Sequence, residues 1–169
     1  MNYFELFTLP VSLQPDAAQV KKKFYELSRL YHPDFYTLKS EEEQTAALEM
    51  AAQINKAFKV LQNREATIKY VLMEKGLLAE EEKYQLPNAF LMEMMELNEL
   101  AADAAIEADA TLTTNVKTQI ANVETEIYEP VEAIITHYTE GITTEKELLQ
   151  VKDYYYKKKY LTRILAGIK

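Results

Sequence analysis

A proline divides two stretches of the chain that each carry apolar residues on one helical face. Before it, the residues that recur at i, i+4, i+7 and i+11 are Val20, Phe24, Leu27 and Tyr31, which is the spacing of an amphipathic helix. Pro33 ends that helix, because proline lacks the backbone N–H and disfavours helical geometry at His32. After it, a second helical face comprises Ala47, Ala51, Ile54, Phe58 and Leu61. The pattern predicts two antiparallel helices joined by a loop that contains Pro33.

Capping residues place the ends of this hairpin. Asp16 with Gln19, and Ser40 with Glu43, have the spacing of capping boxes, which favour a helix start. Residues 35–39 are predicted to form a loop. Short helices are predicted before the hairpin, at residues 2–7, and after it, at residues 64–75. The first module is therefore a helical hairpin with short flanking helices.

The rest of the chain is also predicted to be helical, because 169 residues include only three glycines and five prolines and β-rich folds use more glycine in turns. Gly76, the acidic run 80–82 and Pro87 indicate a break. We divide the chain into residues 1–75, a linker 76–87 and a second module 88–169. Helices are predicted there from residue 88 to about 109, from 111 or 112 to about 138, and from 144 to 166, with an interruption at Pro130. Short connections imply an antiparallel three-helix bundle, so the expected fold is all-α.

Charge and composition argue against several functions. The net charge of −8 argues against a nucleic-acid partner, since phosphate contacts require basic surfaces. No stretch approaches the roughly 20 apolar residues that span a bilayer, and the start lacks the pattern of a signal peptide, so we expect a cytoplasmic protein that does not bind membranes. The chain has no cysteine and two histidines, neither with a partner at metal-motif spacing. No metal site and no cofactor are expected.

The tripeptide His32-Pro33-Asp34 has the clearest chemistry. The proline makes a turn and leaves an imidazole and a carboxylate projecting from it. The helix before the tripeptide is predicted to expose a basic face, which comprises Lys21, Lys22, Lys23, Tyr25 and Arg29. Taken alone, the tripeptide is also compatible with an ordinary helix stop.

Its surroundings resemble the J-domain of DnaJ-type co-chaperones, which is named for a His-Pro-Asp loop between two antiparallel helices. Over residues 1–75 the resemblance includes Tyr3-Phe4, the apolar stripe before the tripeptide, the segment 54–61 and Tyr70. It implies that the basic face docks on a DnaK/HscA-type chaperone, and that His32, Pro33 and Asp34 stimulate the ATPase of that chaperone. The chain departs from many J-domains at Phe35, where they have lysine or arginine.

The helix predicted from residue 88 carries two apolar faces. One is a complete core face and comprises Phe90, Met94, Leu97 and Ala101. The other includes Leu91, Met92 and Met95, and shares its outer surface with Glu96, Glu99 and Asp103. Exposed methionines are adaptable contact residues. The alternative is that a neighbouring helix covers this second face.

Residues 89–100 resemble the start of the C-terminal domain of HscB, the J-protein of iron–sulfur cluster assembly. This resemblance implies that the second face binds a scaffold protein of IscU type through Leu91, Met92, Met95, Glu96, Glu99, Asp103 and Tyr160. Tyr160 lies on the last predicted helix, where the alternative is a tyrosine with a packed ring and a solvated hydroxyl. With no cysteine, the chain has no thiolates to hold an iron–sulfur cluster, so it would escort the scaffold.

Two other functions stay open at this point. A J-protein with a different client would share the first module, and scaffold pull-down that depends on Met92 and Met95 would distinguish the two functions. A small hydrolase using His32 and Asp34 as an acid–base pair would need a pocket, and the sequence offers no nucleophile or oxyanion motif beside them. We therefore expect no catalytic residues and no enzymatic activity of its own.

Overall fold

The computed structural model describes residues 1–168, and no strand occurs among them. The α-helices of this range are α1 (Tyr3–Leu6), α2 (Ala17–Leu30), α3 (Glu41–Leu61), α4 (Arg64–Glu74), α5 (Asn88–Glu107), α6 (Ala110–Tyr128), α7 (Glu132–Thr136) and α8 (Glu145–Ala166). The predicted all-α fold is confirmed. No helix within residues 1–168 is both long enough and apolar enough to cross a membrane.

The predicted hairpin is formed by α2 and α3. Val20 is fully buried between them, and the Phe24 ring stacks on that of Phe58 with centroids 4.0 Å apart. The starts of both helices are capped as the sequence indicates, since the Asp16 carboxylate accepts the Gln19 N–H at 3.0 Å and the Ser40 hydroxyl accepts the Glu43 N–H at 3.2 Å. The packing of these side chains holds α2 and α3 together, with the connecting segment at one end of the hairpin.

The connecting segment differs from the predicted loop. Residues Pro33–Tyr36 form a 3₁₀ turn, which begins at the proline because its fixed φ suits the first position of a helix. The prediction that residues 35–39 are all loop is wrong for residues 35 and 36. The turn orients the tripeptide more firmly than an irregular loop would.

The second module is a bundle of α5, α6 and α8. Its buried centre comprises Phe90, Met94, Leu97, Val116, Ile120 and Leu161. The interruption at Pro130 is confirmed: α6 ends at Tyr128, and a 3₁₀ turn, Glu129–Val131, separates it from α7. Asn88 does not cap α5, because Pro87 occupies the cap position and Asn88 is the first helical residue.

One apolar core continues from the first module into the second. Phe4, Ile68 and Leu72 belong to the same buried cluster as Val151 and Tyr154 of α8. At its edge the Arg64 guanidinium donates to the Tyr154 hydroxyl at 2.9 Å and lies 4.7 Å from the Tyr128 ring centroid. The two modules are thus packed on each other, which neither module's own pattern had indicated.

The segment between the modules is fastened to α8. The Glu82 carboxylate accepts hydrogen bonds from the Tyr156 hydroxyl at 2.9 Å and the Lys152 ammonium at 3.1 Å. The Tyr84 ring stacks on Tyr156 at 4.6 Å, and its hydroxyl donates to Asp153 at 2.9 Å. This linker is therefore a packed strap across α8.

Candidate functional site

The tripeptide lies at the exposed end of the hairpin in a turn with defined geometry. His32 has extended backbone angles and caps the turn, because its Nδ1 accepts the Asp34 N–H at 3.2 Å. The Asp34 carboxylate is 83% exposed and lies 3.6 Å from Nδ1. The turn thus presents a carboxylate to solvent at the outer end of the molecule.

Side chains from both hairpin helices fix this turn. The Tyr36 hydroxyl donates to the Leu30 carbonyl at 3.1 Å, at the end of α2. The Gln44 amide of α3 donates to the Lys39 carbonyl at 2.9 Å and to that of Thr37 at 3.3 Å. These bonds satisfy carbonyls that the helix and the turn leave without backbone partners. A preorganised turn loses less conformational entropy when a partner binds it.

The predicted basic face of α2 is largely exposed. Lys21, Lys22 and Arg29 are exposed, and Tyr25 is 51% exposed with its ring tilted against Phe24. Lys23 is half-buried and lies 3.8 Å from Glu26, one turn along α2. The face therefore offers positive charge beside the tripeptide, with Lys23 partly neutralised.

Phe35 follows the tripeptide and is 68% exposed, with its ring edge-on to the His32 imidazole at 6.0 Å. Behind it lies a shallow depression of about 510 Å³ whose lining includes Leu30, Phe35 and Met50 but neither His32 nor Asp34. The imidazole and the carboxylate thus project into solvent and face no cleft.

Within residues 1–168, no group of three or more His, Asp or Glu side chains is placed to hold a metal ion.

The second predicted surface lies on α5. Phe90, Met94 and Leu97 are buried on its inner side, so the core is complete without the outer methionines. Met92 and Met95 are 65% and 59% exposed, and the neighbouring acidic residues Glu96, Glu99 and Asp103 are exposed as well. Leu91 is half-buried at the margin, packed against the bundle core. No other helix within residues 1–168 covers this face, contrary to the alternative that the sequence left open.

Tyr160 of α8 packs beside α5. Its ring is half-buried and packs edge-on against Phe90, with centroids 6.3 Å apart, and Arg163 lies 6.0 Å from the Tyr160 centroid. The structure therefore places Tyr160 against a core residue of α5, and its part in client binding stays a prediction. Its partial burial also gives it a packing role in the bundle.

Ile106 and the strap across α8 escaped the sequence reasoning. Ile106, on α5, is 83% exposed. The sequence did contain a signal for it, because Ile106 follows Met95 by eleven residues, about three turns of a helix. Glu82 and Tyr84 gave no such signal, because their partners lie about seventy residues away in the chain. Burial alone would raise the pKa of the Glu82 carboxyl, but the bonds from Tyr156 and Lys152 together outweigh it and lower that pKa.

Two family models match the chain. The model of the DnaJ domain matches residues 2–70, and that of the HSCB C-terminal oligomerisation domain matches residues 86–169. A co-chaperone protein HscB homolog of Vibrio parahaemolyticus is 35% identical over 137 residues, which cover 75% of this chain and 80% of that relative. The homolog of Vibrio atlanticus is 40% identical over 111 residues. That match spans 64% of the relative, just under two thirds of its length.

Solved structures show the same architecture. The chaperone HscB from Vibrio cholerae, 27% identical, superposes with a TM-score of 0.74 over 97% of this chain and 93% of that one. Human co-chaperone protein HscB superposes with a TM-score of 0.81 over 98% of this chain and 79% of its own, at 23% identity. At 23% identity, the likeness to the human structure shows the fold alone.

Proposed function

The chain belongs to the HscB family of J-domain co-chaperones, as both sequence resemblances predicted, and we propose that it brings an IscU-type iron–sulfur scaffold to a DnaK/HscA-type chaperone. In this proposal residues 1–75 stimulate the ATPase of the chaperone, residues 88–169 bind the scaffold, and residues 76–87 connect the two. The cluster is cargo, held by the scaffold, because this chain has no cysteine. Cluster transfer and protein maturation then follow from release of the scaffold.

One observation carries the proposal: two adjoining apolar cores, which share the flanking residues Ile127 and Tyr156, support two unlike exposed surfaces. One is basic and ends at the Asp34 carboxylate, and the other is apolar and acidic around Met95. Surfaces of opposite character suit two different partners. A protein that binds both at once brings them together, which raises the effective concentration of one at the other.

At the chaperone, charge and geometry have separate roles. Exposed lysines on α2 accelerate encounter with an acidic surface and orient the hairpin on it. Asp34 then offers two carboxylate oxygens to a chaperone arginine, in a charge-assisted contact that depends on geometry. If the hydrolysis-competent state of the chaperone binds this carboxylate more tightly than the resting state does, binding shifts the population towards hydrolysis.

At the scaffold, Met92 and Met95 supply most of the apolar contact. Full burial of a large apolar side chain contributes about 1.5–3 kcal/mol. Because Met92 and Met95 are only about three fifths exposed and Leu91 is half-buried, the three together contribute roughly 3–5 kcal/mol before association costs of at least about 4 kcal/mol. The apolar patch alone would therefore bind weakly, and with polar contacts from its acidic rim the expected dissociation constant is nearer micromolar than nanomolar. Weak binding suits a delivery factor that must release its client.

Capture of the scaffold by the chaperone in ATP tests the proposal. Labelled scaffold is mixed with chaperone and ATP, and retention on immobilised chaperone is measured with wild type, Asp34→Asn or Met92→Ala/Met95→Ala. We expect retention with wild type only, because each variant breaks one end of the bridge. No retention with wild type would indicate a J-protein with a different client, and retention with the methionine variant would place the scaffold on another surface.

A further inference from the structure

We propose that the client-binding face of α5 continues to Ile106, so that the client it fits carries basic residues between two apolar contacts. The inference rests on the proposed scaffold binding and specifies the surface of the partner. Ile106, on the same helix, is 83% exposed, more than Met92 or Met95. An isoleucine this exposed adds little to the free energy of folding, because little of its side chain is removed from water.

Helical geometry puts Ile106 on the same face as the methionines. It follows Met95 by eleven residues, and at about 100° per residue the two lie about 20° apart around the helix axis. Their separation along the axis is about 16 Å. Ala102, which is exposed, falls between them on the same line. The face is thus one stripe with a large apolar residue towards each end.

The middle of the stripe is acidic. Glu96, Glu99 and Asp103 are exposed, and no ion pair joins them to a basic side chain within residues 1–168. Helix α5 itself has no lysine or arginine. Arg163 of α8 lies over the ring of Tyr160, which packs against Phe90 on the inner side of α5. Between the apolar ends, the surface is therefore complementary to positive charge.

This charge also argues against a second copy as the occupant. A two-fold contact centred on the middle of the stripe would place acidic residues of the two chains opposite one another, and like charges so juxtaposed are unfavourable. A client with lysine or arginine opposite Glu99 gains attraction instead. The apolar ends fix its position along α5, and the acidic middle selects for charge.

Isoleucine truncation in the full chain tests the inference, with a purified IscU-type scaffold as the probe and isothermal titration calorimetry as the readout. Ile106→Ala should weaken binding on the order of tenfold, since it removes apolar area that the client would bury. Ile142→Ala is the matched control, because Ile142 is 75% exposed on the turn between α7 and α8. It should bind like wild type.

Salt provides the second readout. Glu99→Gln should weaken binding at low ionic strength and differ less from wild type as salt rises, because screening removes the attraction that it lacks. Equal binding by Ile106→Ala and wild type, with weaker binding by Met95→Ala, would overturn the inference and leave the proposed function standing. No binding by wild type would overturn both. A change in sedimentation of the unmixed Ile106→Ala chain would point to contact between copies and also overturn it.

Discussion

Replacing Met92 and Met95 together by alanine separates client binding from folding. The two side chains are 65% and 59% exposed, so a client can bury about three fifths of each. With about 1.5–3 kcal/mol for complete burial, each contributes about 1–2 kcal/mol. Alanine keeps part of this contact, and the double variant should lose about 2–3 kcal/mol of binding free energy. Scaffold affinity should fall about 30- to 150-fold.

Calorimetric titration of the scaffold at 25 °C measures this loss, and urea unfolding checks the fold. The unfolding midpoint of the double variant should match that of wild type. Met94→Ala is the comparison, because Met94 lies between the two and is completely buried; it should lose about 2–5 kcal/mol of stability. Wild-type affinity in a folded double variant would refute the placement of the client on this face.

Three further predictions concern charge and backbone. Because the pKa of the Glu82 carboxyl is lowered in the folded chain, its stabilisation is present above the unfolded pKa of about 4.3 and is lost as pH falls through the folded value. The stability difference between wild type and Glu82→Gln, from urea unfolding, should therefore shrink below about pH 4. Gly141→Ala should cost about 1 kcal/mol of stability, since Gly141 has φ of +81°, whereas Gly167→Ala, at φ of −78°, should cost less in the same assay. Lys22→Ala should slow chaperone association at low salt more than at high salt in surface plasmon resonance.

The sequence was sufficient for the helices and for the faces that carry both surfaces, because each depends on short-range patterns. The stripe ending at Tyr31, the stop at Pro33 and the position of Met92 and Met95 opposite the core face are all set by spacing within one or two helices, whereas the exposure of the two methionines depends on which helices pack nearby. The interruption at Pro130 follows from the same local rule. Such features need no knowledge of distant residues.

The packing of the modules could not be predicted in this way. Contacts such as Arg64 with Tyr154, and Glu82 with Tyr156, join residues 90 and 74 positions apart. Tyr154, Tyr155 and Tyr156 appear in sequence as one aromatic run, yet the first two are buried in the shared core and the third stacks on Tyr84. A single residue type on consecutive helical positions has different neighbours, and only the three-dimensional packing identifies them.

Single-turnover ATP hydrolysis by the cognate DnaK/HscA-type chaperone measures the two-ended action most directly. Wild type should stimulate hydrolysis, and the scaffold should add to that stimulation, because both partners then bias the chaperone towards the same state. Asp34→Asn keeps the size of the side chain but removes its charge and one acceptor oxygen, so it should stimulate weakly with or without scaffold. Equal stimulation by Asp34→Asn and wild type would contradict the role assigned to the exposed carboxylate.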